Sequence, residues 1–370
     1  MDDMKKDSIT KEFIICLLFA TILHWGLFEF TNVPTPSMEN TIKSNSSLLI
    51  SKIHYGPRIP ITPLQVPLTH QTIPFLGIKS YLDWIKIPYY RLPGITSVKR
   101  NDIVVFNTPN EDYHSTQRDI ANKYPLDLKT FYVKRCLGLP GEKIKMINNN
   151  IFINDEKIEN DKNSLCLIKI KFTKNPQKKL FDFFKKNNID YEFSQKNNFI
   201  KANIDKSTKE ALEKEFTDLE CTVFTPQDNH RDKMMFIRKL NEYKNISNWS
   251  EFLIPQKGME IEINKDNLKK YGEIIQFYDS NEKVKIQNGE LFINNKKITK
   301  YIFNKNYYFM LGDNRMNSTD SRFFGPVPED HIYAKVLFIF GKYYKIFTNI
   351  LLAFIIIYLI LIFFFRRKNN

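Results

Sequence analysis

IKMINNNIFINDEKI, residues Ile144–Ile158, aligns without gaps with VKIQNGELFINNKKI, residues Val284–Ile298. Asn288-Gly289 in the second copy is a strong hairpin signal, because a two-residue turn needs positive φ at both central positions. Each copy therefore reads as a two-stranded hairpin. Two copies are too few for a solenoid, whose repeats stack into a continuous core. They are expected to flank an insertion into one sheet, so the fold class is mainly β, with an all-β core in two parts, residues 31–160 and 265–343.

The insertion, residues 161–264, carries its own pattern. Leu165 to Thr225 reads as a strand (Leu167–Phe172), an amphipathic helix (Gln177–Asn187), two strands (Tyr191–Phe193 and Phe199–Ile204), a helix (Lys206–Phe216) and a strand (Cys221–Thr225). That β-α-β-β-α-β order is ferredoxin-like. Its first and last strands would be antiparallel neighbours, with Cys166 and Cys221 at opposite ends, so no disulfide between them is expected.

Outside the repeats, RNDIVVF (Arg100–Phe106) reads as turn then strand. FYVKRCL (Phe131–Leu137) reads as a strand closed by Gly138-Leu139-Pro140-Gly141. Tyr55 to Gly94 is rich in proline and apolar residues, which excludes long helices and central strands. It is either an irregular loop over the β core or a surface that dips into lipid.

Two apolar runs bound the chain. Phe13–Phe30 is about the ~17 to 20 residues that span a bilayer core, though His24 and Glu29 weaken it. A cleaved secretory signal is the competing reading, but no small-x-small site follows. Ile346–Phe365 is uncharged and runs into Arg366, Arg367 and Lys368. Basic residues beside a span stay cytoplasmic. Both termini, 1–12 and 366–370, are thus expected inside, and everything between the two transmembrane helices outside.

The 370 residues carry a formal net charge of +14, which could suggest nucleic acid. The lysines are scattered among Asn and Ile without an Arg-rich stripe, and the compartment argues against nucleic acid as a partner. Cysteine is sparse, with no C-x-x-C or His-x-x-x-His pair, and the six histidines lie far apart in sequence. A zinc site and a Ser–His pair both lack support, and no metal or cofactor is expected.

Ser37, in VPTPSM (Val33–Met38), stands a few residues past the first apolar run and is a potential nucleophile. Side chains alternate along a strand, so Lys134 and Arg135 point to opposite faces. Arginine cannot shed its proton, whereas a buried lysine becomes neutral and can serve as a general base. Lys134, flanked by Tyr132 and Cys136, is the interior candidate. The third block is GDNRMNSTDSRFFGPVPED, Gly312–Asp330. Its start is a tight polar turn, and Ser318, Asp320 and Arg322 share parity, so an extended segment would put them on one face with Asp320 and Arg322 paired.

Together PTPSM, YVKRCLGLPG and GDNRMNSTDSR resemble the pattern of bacterial type I signal peptidases, membrane-bound serine proteases that remove signal peptides from exported proteins. The resemblance covers Asn32–Tyr55, Val98–Ile158 and Glu282–Lys335 and leaves the insert outside the common core. It implies Ser37 as nucleophile, Lys134 as general base, and Thr35 with the Ser37 amide as oxyanion hole. It also implies that Ser318 orients the lysine and that Asp320 with Arg322, beside Gly312, supports the site. Thr35 replaces the commoner serine, Asn40 stands where proline usually occurs, and Met316 fills a slot that is more often polar. The partners implied are secretory preproteins with small residues before the cut, the lipid bilayer and, as a further candidate, the protein export channel. The location implied is the bacterial inner membrane. Two rival readings are a self-cleaving Ser/Lys regulator, which should carry a DNA-binding head and no spans, and an idle membrane-anchored binding protein.

Overall fold

A computed structural model describes residues 26–65, 71–73, 76, 78–82, 84–109, 124–172, 178–194, 198–224, 235–280 and 282–341. The expected C-terminal span lies outside the described residues, as does the expected N-terminal span up to residue 25. From Phe28 the chain is strand rather than helix, pairing over Phe28–Val33 with Ser46–Ser51. The anchor assigned to 13–30 therefore loses its last residues to the sheet, because Phe28–Val33 can exchange ladder bonds with a neighbour that is remote from the apolar run. No helix among the described residues is long and apolar enough to cross a membrane.

The central sheet has seven strands in the order Phe28–Val33, Ser46–Ser51, Ile332–Phe340, Ile103–Asn107, Phe131–Gly138, Tyr307–Leu311, Val327–Pro328, with antiparallel neighbours throughout. Alternation decides its packing. Val104 and Phe106 join Cys136, Met310 and Val327 on one face, while Val105 joins Met38, Leu48, Ile50 and Ala334 on the other. Both faces are buried, which is why VVF reads as a continuous apolar run rather than an alternating one.

The two repeats each form a three-stranded meander rather than a two-stranded hairpin. The first runs through Lys143–Ile147, Asn150–Ile153 and Glu156–Lys157, the second through Val284–Gln287, Glu290–Ile293 and Lys296–Ile298. The second turn in each copy has the same chemistry as the first. Asn148-Asn149, Asn154-Asp155, Asn288-Gly289 and Asn294-Asn295 all have positive φ at both positions, the conformation that suits a two-residue turn to strand twist. The meanders also lie in separate sheets, so the expectation of one shared sheet is corrected. They meet through one core, where Ile144, Met146 and Ile151 pack in the same cluster as Val284 and Leu291.

The insert folds as read. Cys166–Phe172, Lys178–Lys186, Tyr191–Ser194, Phe199–Ile204, Lys206–Glu215 and Leu219–Val223 follow in β-α-β-β-α-β order. Its sheet has the fourth strand beside the first, then the third, then the second. Ile168, Ile170, Ile200, Ala202 and Ile204 point from one face onto Leu180, Phe184 and Leu212 of the helices. Each such large side chain contributes about 1.5–3 kcal/mol by burial, enough to give this unit its own core. Cys221 pairs opposite Ile170 and Cys166 opposite Ile204, and both are free thiols. Its last strand ends at Val223. Met235 to Glu262, expected in the insert, packs with the core instead: Trp249 pairs with Met146, and Phe236 and Phe252 share the meanders' cluster. That core is not wholly β, because it includes helix Lys265–Ile274, capped by Asn264, whose side chain accepts from Asn267 N–H.

The described residues of the proline-rich segment form isolated bridges, Arg58 with Arg91, Gln65 with Tyr81 and Thr72 with Lys79. It is rooted by Arg58, which donates to Asn107 Oδ1 at 2.7 Å, and by Arg91, whose Nη2 donates to Glu329 O at 3.3 Å and to Ile332 O. Beyond those roots Leu76, Ile78, Leu82, Tyr90 and Ile95 are exposed, and Trp84 is 71% exposed.

Candidate active site

Ser37 sits in a helical turn, Pro36–Met38, that the sequence builds locally. Thr35 is extended (φ −107°, ψ 152°), and Pro36 takes the first helical position, where its fixed φ fits and its missing N–H costs nothing. Met38 is fully buried below, and its Sδ accepts from Asp313 N–H at 3.4 Å. Ser37 is thereby held at the surface of the core, 7% exposed. As the second residue of a helical turn, its N–H has no intrahelical acceptor.

Lys134 rises from the strand Phe131–Gly138 and is 4% exposed. Its Nζ donates to Ser37 Oγ at 2.6 Å and to Val133 O at 3.0 Å, and stands 5.3 Å from the centre of the Tyr132 ring. Burial pushes its pKa down to about 8; Asp320 and Asp313 pull the other way, while Arg322 assists the burial. At pH 7 such an amine is neutral in about one molecule in ten, against about one in a few thousand for an ordinary lysine.

Arg135 lies on the opposite side of the strand from Lys134, and that side is not open to solvent either. It is buried too, because the Gly312–Arg315 turn covers its face. Its Nε donates to Asp313 Oδ1 at 2.9 Å and its Nη2 to Asp313 Oδ2 at 2.6 Å. Burial alone would lower the arginine pKa, but the Asp313 carboxylate raises it. Thr41 Oγ1 also donates to Asp313 Oδ2, at 2.6 Å. Asp313 and Thr41 are site residues that the sequence reading missed.

Asp320 and Arg322 pair as expected, through two bonds of 2.8 Å, with neither side chain exposed. The reason differs from strand parity. Asp320 is the N-cap of the short helix Ser321–Phe324 and accepts from Arg322 N–H, and it also accepts from Gly312 N–H at 3.1 Å. Buried as it is, its carboxyl is held below the usual range by Arg322 and by these backbone and hydroxyl contacts. Ser318 is buried beside this carboxylate, and its hydroxyl makes no hydrogen bond to the Lys134 amine. It packs over Gly312, where an added Cβ would lie 2.1 Å from Ser318 Oγ and 2.6 Å from Ser37 O. Thr35 Oγ1 stands 3.4 Å from Ser37 Oγ, so Thr35 and Lys134 both approach the Ser37 hydroxyl, while the Ser318 hydroxyl bonds to neither.

Among the described residues His54 Nδ1 meets Ser51 Oγ at 2.6 Å. Ser51 is fully buried, out of reach of a peptide bond. Among the described residues no group of acidic, histidine or cysteine side chains is arranged to hold a metal ion. A serine hydroxyl bonded to a buried amine is an arrangement that can carry acyl transfer.

The profile of the family "Signal peptidase, peptidase S26" matches residues 7–215 and 256–341, most of the chain. Signal peptidase I of Rickettsia bellii (strain OSU 85-389) is 30% identical over 149 residues, which is 40% of this chain and 40% of that protein. Signal peptidase I of Rickettsia typhi is 30% identical over 156 residues, 42% of this chain and 46% of that protein. That of Rickettsia conorii is 32% identical over 147 residues, 40% and 42% respectively. The chain thus spans less than half the length of these curated relatives.

Proposed function

From the premise that this chain belongs to the signal peptidase family, peptidase S26, we propose that it is a membrane-bound serine endopeptidase that removes signal peptides from exported preproteins. Ser37 is the nucleophile and Lys134 the general base. The observation that carries this reading is the 2.6 Å bond between a buried amine, pushed down to about 8, and the Ser37 hydroxyl.

In the reaction the neutral Lys134 amine accepts the Ser37 proton as Oγ attacks the scissile carbonyl. The Ser37 N–H and the Thr35 hydroxyl stabilise the oxyanion, and loss of one such donor typically costs ~10² to 10³ in rate. Lys134, now an ammonium, protonates the leaving amine, then activates water to release the acyl group from Ser37. Asp320 and Asp313 stabilise the ammonium while it exists; burial ensures that it gives the proton up. Ser318 and Gly312 shape the wall beside Ser37, with no hydrogen bond from the Ser318 hydroxyl to the amine.

The substrate runs extended beside the strand that carries Lys134. That strand pairs along Phe131–Arg135 with Ile103–Asn107, whereas its pairing with Tyr307–Leu311 on the other side starts only at Arg135. A peptide added at the Phe131–Lys134 edge would form main-chain bonds with specificity set by alternate side chains. The exposed apolar residues Leu76, Ile78, Leu82, Trp84 and Ile95 support contact with a bilayer, where substrates held by their own apolar segment share the depth of Ser37.

The test is incubation of the full chain in detergent with a precursor bearing small residues one and three positions before the cut, with sequencing of the new N-terminus. Cleavage after the small residue, abolished when either small residue becomes large, is expected. Cleavage elsewhere, or none, overturns the reading.

A further inference from the structure

The α/β insert is bonded directly to the turn that carries Ser37. Leu165, at its root, donates from N–H to Asp313 O at 2.8 Å and accepts from Arg315 N–H at 3.3 Å, running parallel to Asn314. From the third strand of the insert, Asn203 Nδ2 donates to Asn314 Oδ1 at 2.7 Å. The same Asn314 side chain donates from Nδ2 to Pro36 O at 3.0 Å, and Asn314 N–H donates to Ser37 O at 3.1 Å. On the other side of the serine, Asn40 takes φ 76°, a conformation closed to proline. Its Nδ2 donates to Asp205 Oδ2 at 2.9 Å and to Asn163 O at 3.2 Å, both from the insert. Asp205 meanwhile caps the insert's second helix, its Oδ1 accepting from Thr208 N–H at 2.7 Å.

Pro36 C=O and Ser37 N–H belong to one planar trans peptide, so whatever fixes the carbonyl also aims the N–H. We infer that the insert is a positioning device for the oxyanion hole, in which Asn203, acting through Asn314, orients the Pro36–Ser37 peptide, and Asp205, acting through Asn40, holds the chain that leaves Ser37. This rests on the reading of Ser37 N–H as an oxyanion donor. Asn203 and Asp205 touch no reacting atom; they are positioning residues. The Asn314 amide has two orientations, and only a donor at residue 203 favours the one that offers Nδ2 to Pro36 O.

That dependence separates positioning from packing. Asn203→Ala leaves the Asn314 amide unaligned. Asn203→Asp, nearly the same shape, has only acceptors; it draws Asn314 Nδ2 to itself and sets Asn314 Oδ1 against Pro36 O. The isosteric variant is therefore the more damaging. Against the same small-x-small precursor, kcat should fall ~10-fold for Asn203→Ala and ~10²-fold for Asn203→Asp, the latter near the loss of a whole donor, with KM and melting temperature unchanged. Asp205→Ser, which keeps a helix cap but is too short to reach Asn40, should lower kcat without lowering the melting temperature. Wild-type kcat in both Asn203 variants, or a smaller loss for Asp than for Ala, overturns the inference while leaving the proposed function standing. A wild-type chain that fails to cut the precursor overturns both.

Discussion

Lys134 and Ser37 are 97 residues apart in sequence, and the Lys134 amine nevertheless stands 2.6 Å from the Ser37 hydroxyl. The strand Phe131–Gly138 supplies the lysine from the middle of a sheet buried on both faces, and the Pro36–Met38 turn lowers the serine onto it. A pair made this way is rigid on both sides, because neither residue sits on a long loop.

The first consequence is a pH profile. Only the neutral Lys134 amine can accept the serine proton, and burial pushes its pKa down to about 8. kcat/KM, which reports groups in the free enzyme, should climb from pH 6 and level off above an inflection near 8. A profile already flat from pH 6 upward would contradict a lysine base.

The same burial costs stability. In the unfolded chain the amine titrates near its ordinary 10.5, in the folded chain at about 8, so the unfolded state holds more protons between those values and stability rises with pH across that window. Below pH 8 the full penalty, on the order of 3 kcal/mol, is present. Lys134→Met should therefore raise the melting temperature at pH 7, with the gain shrinking towards pH 10. A loss of stability at pH 7 would show that the surroundings favour the ammonium.

Gly312 has no room for a side chain. A Cβ there meets Ser318 Oγ and Ser37 O at distances no real contact shows, so Gly312→Ala must push the serine's carbonyl away from the Gly312–Arg315 turn. kcat should fall by ~10²-fold or more, comparable to misplacing a catalytic group by about an ångström. Near wild-type turnover would mean that the turn yields freely and does not position Ser37.

Trp84 is 71% exposed in a segment whose apolar side chains lack cover. If that segment meets a bilayer, Trp84 fluorescence should shift to the blue on addition of vesicles, and Trp84→Asp should weaken vesicle binding measured by flotation of a variant lacking residues 1–25 and 342–370. Unchanged emission and binding would leave the segment as a solvent-facing loop.

The parts of this molecule legible beforehand are those written locally. The insert shows through because Ile168, Ile170, Ile200 and Ile204 alternate along strands, whereas Leu180, Phe183 and Phe184 recur at helical spacing. The meanders show through because asparagine-rich turns tolerate positive φ, although their second turns were passed over. What stayed hidden depends on pairs far apart. Nothing near Arg135 announces that Asp313, 178 residues on, will neutralise it and allow it to be buried. Asp320–Arg322 was foreseen from strand parity and exists for another reason, helix capping. Asn40 shows in the sequence only as a departure from proline and Asn203 not at all, because their partners, Asp205 and Asn314, lie 165 and 111 residues away.

The central claim is that Ser37 and Lys134 act as one catalytic unit, and the most direct measurement is single-turnover cleavage of a small-x-small precursor by the wild-type chain, Ser37→Ala, Lys134→Ala and the double variant in detergent. The account predicts that each single variant, folded by circular dichroism, loses cleavage to background, and that the double variant is no worse than either single one. Retention of near wild-type turnover by either single variant would contradict it.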